Sequence, residues 1–316
     1  MKPDSTSATL ILSRKIRVVL MVVLGMFLIG LAVPQNQQAQ INTKLLVTGD
    51  TLKKLPSEQR VIVDTRSKFK FLMGHIPGAI NLSNWKEFTS KNNSIRGLLI
   101  NDENFISNIL GNLGLDPKQS IIIYGDPTDP WRTDGRFFWM FERYGFAHVS
   151  ILDGGIKAWK KIGGKLESGF QKERKLTRII PEKIHLNPKV IADKYLIKKV
   201  LNDKSYVLID NRTQEEFLGS TPYGSPRGGH IPNAIHIHWP DFFKRDGMLK
   251  TANELSRLLE KEGVLYGKEI VVYCTGGVRS AMAYFVFRYL GFRVRNYDGS
   301  WWDWSQDFKL PIEISG

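Results

Sequence analysis

The sequence predicts an α/β protein made of two tandem copies of one domain, each a parallel sheet covered by helices on both faces. Three observations lead there. Short β-branched runs such as Val61-Ile62-Val63 and Ile121-Ile122-Ile123 are apolar at every position, as strands buried on both faces are. They alternate with longer amphipathic stretches, the order of a sheet whose crossovers are helices. Finally, the pattern is written twice. Val61 to Arg66 (VIVDTR) returns as Val207 to Arg212 (VLIDNR), and Gly74-His75-Ile76-Pro77-Gly78-Ala79 returns as Gly229-His230-Ile231-Pro232-Asn233-Ala234. Ile121 to Tyr124 returns as Ile270 to Tyr273, and Asp153-Gly154 with Trp159 returns as Asp298-Gly299 with Trp304. Four matches in the same order mark a tandem duplication.

Composition narrows the function classes. At 316 residues the chain has room for an N-terminal segment and two domains. With 42% apolar and 24% charged residues it is neither disordered nor fibrous. The single cysteine, Cys274, excludes an intramolecular disulfide and any multi-cysteine metal or iron–sulfur site. A net charge of +14 favours anionic partners, but no nucleic-acid-binding motif accompanies it, so the expectation is a solvated basic surface and no nucleic acid.

Residues 1–40 read as a signal peptide or an N-terminal membrane anchor. The uncharged run Val18 to Val33 follows Arg14, Lys15 and Arg17. At about 1.5 Å per residue it spans roughly 24 Å, short of the roughly 30 Å hydrocarbon core. Membrane anchoring would act through residues 18–33, with the body exported: periplasmic, or held at the membrane outside the cytoplasm. An unpaired thiol is uncommon there and invites a reactivity hypothesis.

The first domain is expected over 41–170 and a linker over 171–187, inside the charged, Pro181-containing stretch Ser168 to Asn187. The second domain then occupies 188–316. Its elements are expected as helix Ala192 to Asn202, strand Tyr206 to Asp210, helix Glu254 to Glu262, strand Ile270 to Tyr273, helix Ser280 to Leu290 and strand Arg293 to Tyr297.

The chemistry is expected on the second copy. An apolar strand runs into Cys274, followed by Thr275, Gly276, Gly277 and Val278, then Arg279 and Ser280. Such a loop can curl its amides around the sulfur, the glycines permitting φ > 0 and close approach. Ser280 reads as the N-cap of the next helix. The helix terminus and Arg279 would both favour a thiolate.

In combination, Asp-x-Arg, Gly-His-Ile-Pro-x-Ala, the strand–Cys–loop–Arg-Ser–helix segment and Asp-Gly-x-x-x-x-Trp resemble the rhodanese family of sulfurtransferases, over about residues 45–316. The resemblance implies two tandem rhodanese-like domains, the first without a catalytic cysteine. It also implies ping-pong transfer of a sulfane sulfur through a persulfide on Cys274, from thiosulfate or 3-mercaptopyruvate to a thiophilic acceptor such as cyanide or a thiol. Thr275 to Ser280 would cradle the sulfur, Arg279 would bind or orient a small anionic donor, and no metal or organic cofactor is required. The loop fits neither donor type's pattern cleanly, and Glu216 stands where many tandem members carry an arginine.

The duplication serves as an internal control. Asp64, Arg66 and His75 persist in a copy whose strand ends at Tyr124-Gly125 without a thiol, so Asp210, Arg212 and His230 are expected to keep the fold rather than catalyse. Arg227 lies in an insertion peculiar to the second copy and is expected as an anion contact. His236 and His238 lack a third ligand nearby and are expected to be ordinary loop-edge residues. The cluster Trp301-Trp302-Asp303-Trp304 is expected to pack the second domain. Two alternatives remain open: a non-catalytic persulfide carrier or interaction protein, and a Cys-loop-Arg phosphatase or arsenate reductase. The four residues between Cys274 and Arg279, against five usual in such phosphatases, weigh against the latter.

Overall fold

The computed structural model describes residues 40–56, 60–91, 94–171 and 184–314. The expected export segment and most of the expected linker lie outside the described residues. Among the described residues no helix is long and apolar enough to cross a membrane.

Two five-stranded parallel sheets repeat one topology. In the first half the strands are β1 (Leu46–Val47), β2 (Arg60–Asp64), β3 (Ile80–Asn81), β4 (Ser120–Tyr124) and β5 (His148–Leu152), in spatial order β1-β5-β4-β2-β3. The second half repeats it with β6 (Ile191–Ala192), β7 (Tyr206–Asp210), β8 (Ile235–His236), β9 (Glu269–Tyr273) and β10 (Val294–Tyr297), in order β6-β10-β9-β7-β8. Register repeats as well: Asp64 pairs with Tyr124 in one sheet and Asp210 with Tyr273 in the other.

Alternation within the strands explains why they are apolar throughout. In β2 and β4, Val61, Val63, Ile121 and Ile123 face a core shared with the second half, while Ile62 and Ile122 face a separate cluster. That cluster is covered by α1 (Gly49–Lys54), α2 (Lys68–Met73) and α5 (Gly155–Lys161), through Leu52, Phe71, Ile156 and Trp159. The inner face carries α3 (Glu103–Asn112) and α4 (Thr133–Arg143). In the second half α6 (Lys194–Val200) and α10 (Ser300–Gln306) cover the outer face, while α8 (Ala252–Lys261) and α9 (Arg279–Tyr289) belong to the shared core; α7 (Gln214–Phe217) follows β7.

α4 and α9 hold the two halves together. Both are packed all round: every residue from Asp134 to Arg143 and from Arg279 to Phe287 is buried, the charged ones of α4 included. Their backbones nearly touch at Gly135, where a Cβ would stand 2.6 Å from Met282 Cα. Reciprocal clasps flank the crossing: Leu249 N donates to Asp153 Oδ1 at 2.9 Å, and Leu99 N donates to Asp298 Oδ2 at 2.8 Å.

Two expectations need correction. Ala192 belongs to β6 rather than to a helix, and the helix begins after Asp193, whose carboxylate accepts from Leu196 N. Ser280 is not an N-cap but lies within α9, which begins at Arg279. The end of the linker is docked, with Ile184 buried, Leu186 N donating to Glu103 Oε1 and Asn187 N donating to Arg143 O.

Candidate active site

Cys274 follows β9 directly, at the carboxyl end of the sheet, where open α/β folds place their sites. The chain after it bends through Thr275, Gly276, Gly277 and Val278 into α9. The loop's carbonyls are drawn backwards: Trp301 N donates to Cys274 O at 3.0 Å and Trp302 N to Thr275 O at 2.9 Å. That leaves amides to face the sulfur, which receives hydrogen bonds from the Gly276 and Ser280 amides and the Ser280 hydroxyl. The same hydroxyl donates to Asn296 Oδ1 at 2.7 Å, which fixes its position beside the sulfur. Gly277 takes φ +73°, and a Cβ there would stand 2.6 Å from Asp298 O; the Trp302 ring lies where a Gly276 Cβ would be.

Burial pushes the Cys274 thiol up, but the Arg279 charge and the three hydrogen bonds outweigh it, and the net shift is downward. Arg279 is itself enclosed. Its Nη1 donates to Glu216 Oε2 at 2.6 Å, and its Nη2 donates to Glu216 Oε1 at 2.8 Å and Thr275 Oγ1 at 2.6 Å. Thr275 Oγ1 in turn donates to Glu216 Oε1 at 2.5 Å. Burial pushes the Glu216 carboxyl up, and Arg279 and Thr275 reverse that to a net lowering.

A pocket of about 430 Å³ opens over Cys274. Thr275, Gly276, Val278 and Arg279 form its inner wall, and Tyr223 and Trp302 stand beside them. The first half supplies Trp85, Lys86 and Trp131. Trp131 and Tyr223 meet edge to face with centroids 5.4 Å apart, and the Arg279 guanidinium lies 5.6 and 5.4 Å from their rings. Arg136 of α4 reaches the loop from behind, donating to Gly277 O at 3.0 Å, Asp298 Oδ1 at 2.8 Å and Gly97 O at 2.7 Å.

Asp210, Arg212 and His230 stand outside this pocket in a network both copies share. Arg212 clasps Asp210 and donates to Gly229 O at 2.8 Å; Arg66 does the same with Asp64 and Gly74 O at 2.7 Å. His230 stacks on Phe217 with centroids 3.6 Å apart, as His75 stacks on Phe71 at 3.8 Å. Retention in the copy without a thiol fits a structural role.

Arg227 is a correction. Its guanidinium donates to Ser305 O, Leu310 O, Trp304 O and Asp307 O at 2.7–3.1 Å, tying down the end of α10 and the segment after it. Four of its five N–H donors are thereby engaged, and it does not line the pocket. Trp302 is a partial one: Trp301 and Trp304 pack the second domain as expected, but Trp302 lines the pocket. His236 is bonded to Arg212 O at 2.9 Å. Sequence reasoning missed Trp85, Lys86, Trp131 and Tyr223. Of these only Tyr223 carried a signal, its place in the insertion.

The corresponding place in the first half is filled. Gly125 stands where Cys274 does, and a Cβ there would meet Thr65 Oγ1 at 3.1 Å and Asp134 Cβ at 3.2 Å. Arg132 holds Asp134 in place through contacts of 3.0 and 2.9 Å.

Comparison with known proteins agrees with this architecture. Residues 48–162 and 193–307 each match the family described as Rhodanese-like domain. A thiosulfate sulfurtransferase of Corynebacterium glutamicum is 30% identical over 272 residues, covering 80% of this chain and 84% of that protein. The sulfur carrier protein TtuD of Thermus thermophilus is 32% identical over 250 residues, covering 76% and 85%. The crystal structure of SseA from Escherichia coli, described as a 3-mercaptopyruvate sulfotransferase, superposes with a TM-score of 0.68 at 25% identity, covering 81% of this chain and 98% of that one.

Proposed function

The chain belongs to the rhodanese family, and from that premise we propose that it is a sulfurtransferase carrying a sulfane sulfur as a persulfide on Cys274. The observation that supports this most is the sulfur itself: it ends a buried strand, receives three hydrogen bonds, has its pKa lowered and faces a pocket. Its likeness to a named thiosulfate sulfurtransferase supports the reaction class.

In the first half-reaction the Cys274 thiolate attacks a small anionic donor, at the outer sulfur of thiosulfate or at the thiol sulfur of 3-mercaptopyruvate. With 3-mercaptopyruvate the carbon–sulfur bond breaks, and pyruvate leaves as its enolate and takes up the thiol proton. With thiosulfate, a new S–S bond forms as the donor's S–S bond breaks, and sulfite leaves with the bonding electron pair. The Gly276 and Ser280 donors that face the thiolate are placed to hold the negative charge on the persulfide. In the second half-reaction a thiophilic nucleophile, cyanide or a thiol, attacks the terminal sulfur and restores the thiolate. None of these steps requires a metal or organic cofactor. Residues 18–33 would place this activity outside the cytoplasm.

The test is intact mass. Incubation with thiosulfate or 3-mercaptopyruvate is expected to add about 32 Da, one sulfur, which cyanide removes. Cys274→Ser is expected to gain nothing. No gain with either donor overturns the persulfide mechanism. A carrier without turnover is the second reading, favoured by the likeness to a protein named as a sulfur carrier. Stoichiometric loading without multiple turnovers to any small acceptor would select it.

A further inference from the structure

Within the proposed sulfur transfer, two features of the pocket are left over: its charge and its walls. A compact dianion such as thiosulfate is best held by an unneutralised cation deep in the site. Here the deep cation is Arg279, and Glu216 closes it with two hydrogen bonds while Thr275 takes a third donor. The rings of Trp131 and Tyr223 cover its face. Lys86, the other lining cation, stands at the exposed rim. The walls, in turn, are aromatic: Trp85, Trp131, Tyr223 and Trp302 surround the approach to Cys274. A volume of about 430 Å³ falls within the roughly 300–1,000 Å³ of pockets that hold organic molecules.

We propose that this site takes a singly charged or neutral organic sulfur donor with a flat apolar body, held among the four rings, and that Glu216 sets this preference by closing the Arg279 cation. Glu216 is thus a specificity-determining residue that acts through Arg279 and Thr275. An organic thiosulfonate, R–SO₂–S⁻, illustrates the chemistry. The Cys274 thiolate attacks its outer sulfur, the new S–S bond forms, the old one breaks, and the sulfinate R–SO₂⁻ departs with the electron pair. Total charge is −2 on both sides.

The proposal rests on the persulfide reading, and the experiment separates the two. Persulfide formation on the purified full chain is followed by mass and by initial rate with three donors that share this outer-sulfur chemistry. Benzenethiosulfonate is a monoanion with a ring, methanethiosulfonate is a monoanion without one, and thiosulfate is a dianion. In the wild type the order of kcat/KM is expected to be benzenethiosulfonate, then methanethiosulfonate, then thiosulfate, with about tenfold between first and last. Glu216→Gln retains the side chain's shape and is expected to raise thiosulfate kcat/KM by about tenfold and the monoanions by less. Tyr223→Ala is expected to raise KM for benzenethiosulfonate several-fold and KM for methanethiosulfonate by less. A merely structural Glu216 would lower all three donors together, and that outcome overturns the proposal, as does thiosulfate loading as well as benzenethiosulfonate in the wild type. If no donor adds sulfur, the persulfide reading falls and this one falls with it.

Discussion

Arg136 belongs to the half that has no thiol, yet it grips the loop that carries one. Its guanidinium is fully buried and binds Gly277 O, Gly97 O and the Asp298 carboxylate, which is 3% exposed. Arg136→Met removes these bonds and leaves Asp298 with the Leu99 amide but without its direct ion-pair partner. Breaking a buried pair on one side costs about 3–5 kcal/mol. One offset works the other way: Arg136 Nε is buried without a partner, and methionine removes that unmet donor, worth about 1–3 kcal/mol. The net expectation is a loss of about 2 kcal/mol. At roughly 2–4 °C per kcal/mol, the melting temperature falls by about 4–8 °C. Pairing it with Asp298→Asn removes the stranded charge and is expected to recover about half the loss. Thermal and urea denaturation of both single variants and the double variant measure this. A melting temperature within 2 °C of wild type, or strictly additive single effects, refutes the assignment of Arg136 and Asp298 as a coupled pair.

Two further outcomes follow from the site. The Cys274 thiol is lowered overall because the Arg279 charge and hydrogen bonds outweigh burial. Iodoacetamide alkylation against pH should therefore have its midpoint below the ordinary value of about 8.5, and Ser280→Ala should move it upward. A folded-state pKa depressed in this way contributes stability that is fully present above the unfolded thiol's pKa and is lost as pH falls through the folded value. An alkylation midpoint at or above 8.5 in the wild type would count against the cradle. The other outcome concerns the first half, where Gly125→Cys meets Thr65 and Asp134 at 3.1–3.2 Å. It should cost about 1–3 kcal/mol in stability and yield one donor-derived sulfur by intact mass, not two; a second would mean the space is open.

Much of this was written in the sequence because it repeats there. The central strands announce themselves by uninterrupted apolar centres such as Val61-Ile62-Val63 and Ile121-Ile122-Ile123, and Asp-x-Arg with Gly-His-Ile-Pro appears in both halves as the same clasped network. Cys274 and its loop were legible because glycine and arginine at that spacing have few other uses. What escaped notice depends on contacts between distant segments. Nothing local to Trp85 or Trp131 says that they line a pocket built around another half's cysteine. The direction of a long side chain is equally hidden: Arg227 lies in the insertion that also supplies Tyr223, but its guanidinium turns to backbone carbonyls. Ser280 was misplaced for a related reason. The helix begins one residue sooner, under a loop whose backbone bonds go to the sulfur and to α10, so no side-chain cap is used. Glu216 was visible as an oddity, but its pairing with Arg279 joins residues on separate elements.

The close approach of α4 and α9 limits how the chain can change. A copy that has lost its reactive group is ordinarily free to drift, since no chemistry holds its sequence in place. Here Gly135 lies against the backbone of Met282, three residues beyond Arg279, so most side chains at that position would push the reactive loop's own helix aside. Lacking a thiol therefore relieves the first half of chemistry without relieving it of constraint. Variation there is filtered by what happens at Cys274, as it would be for residues of the reactive half itself.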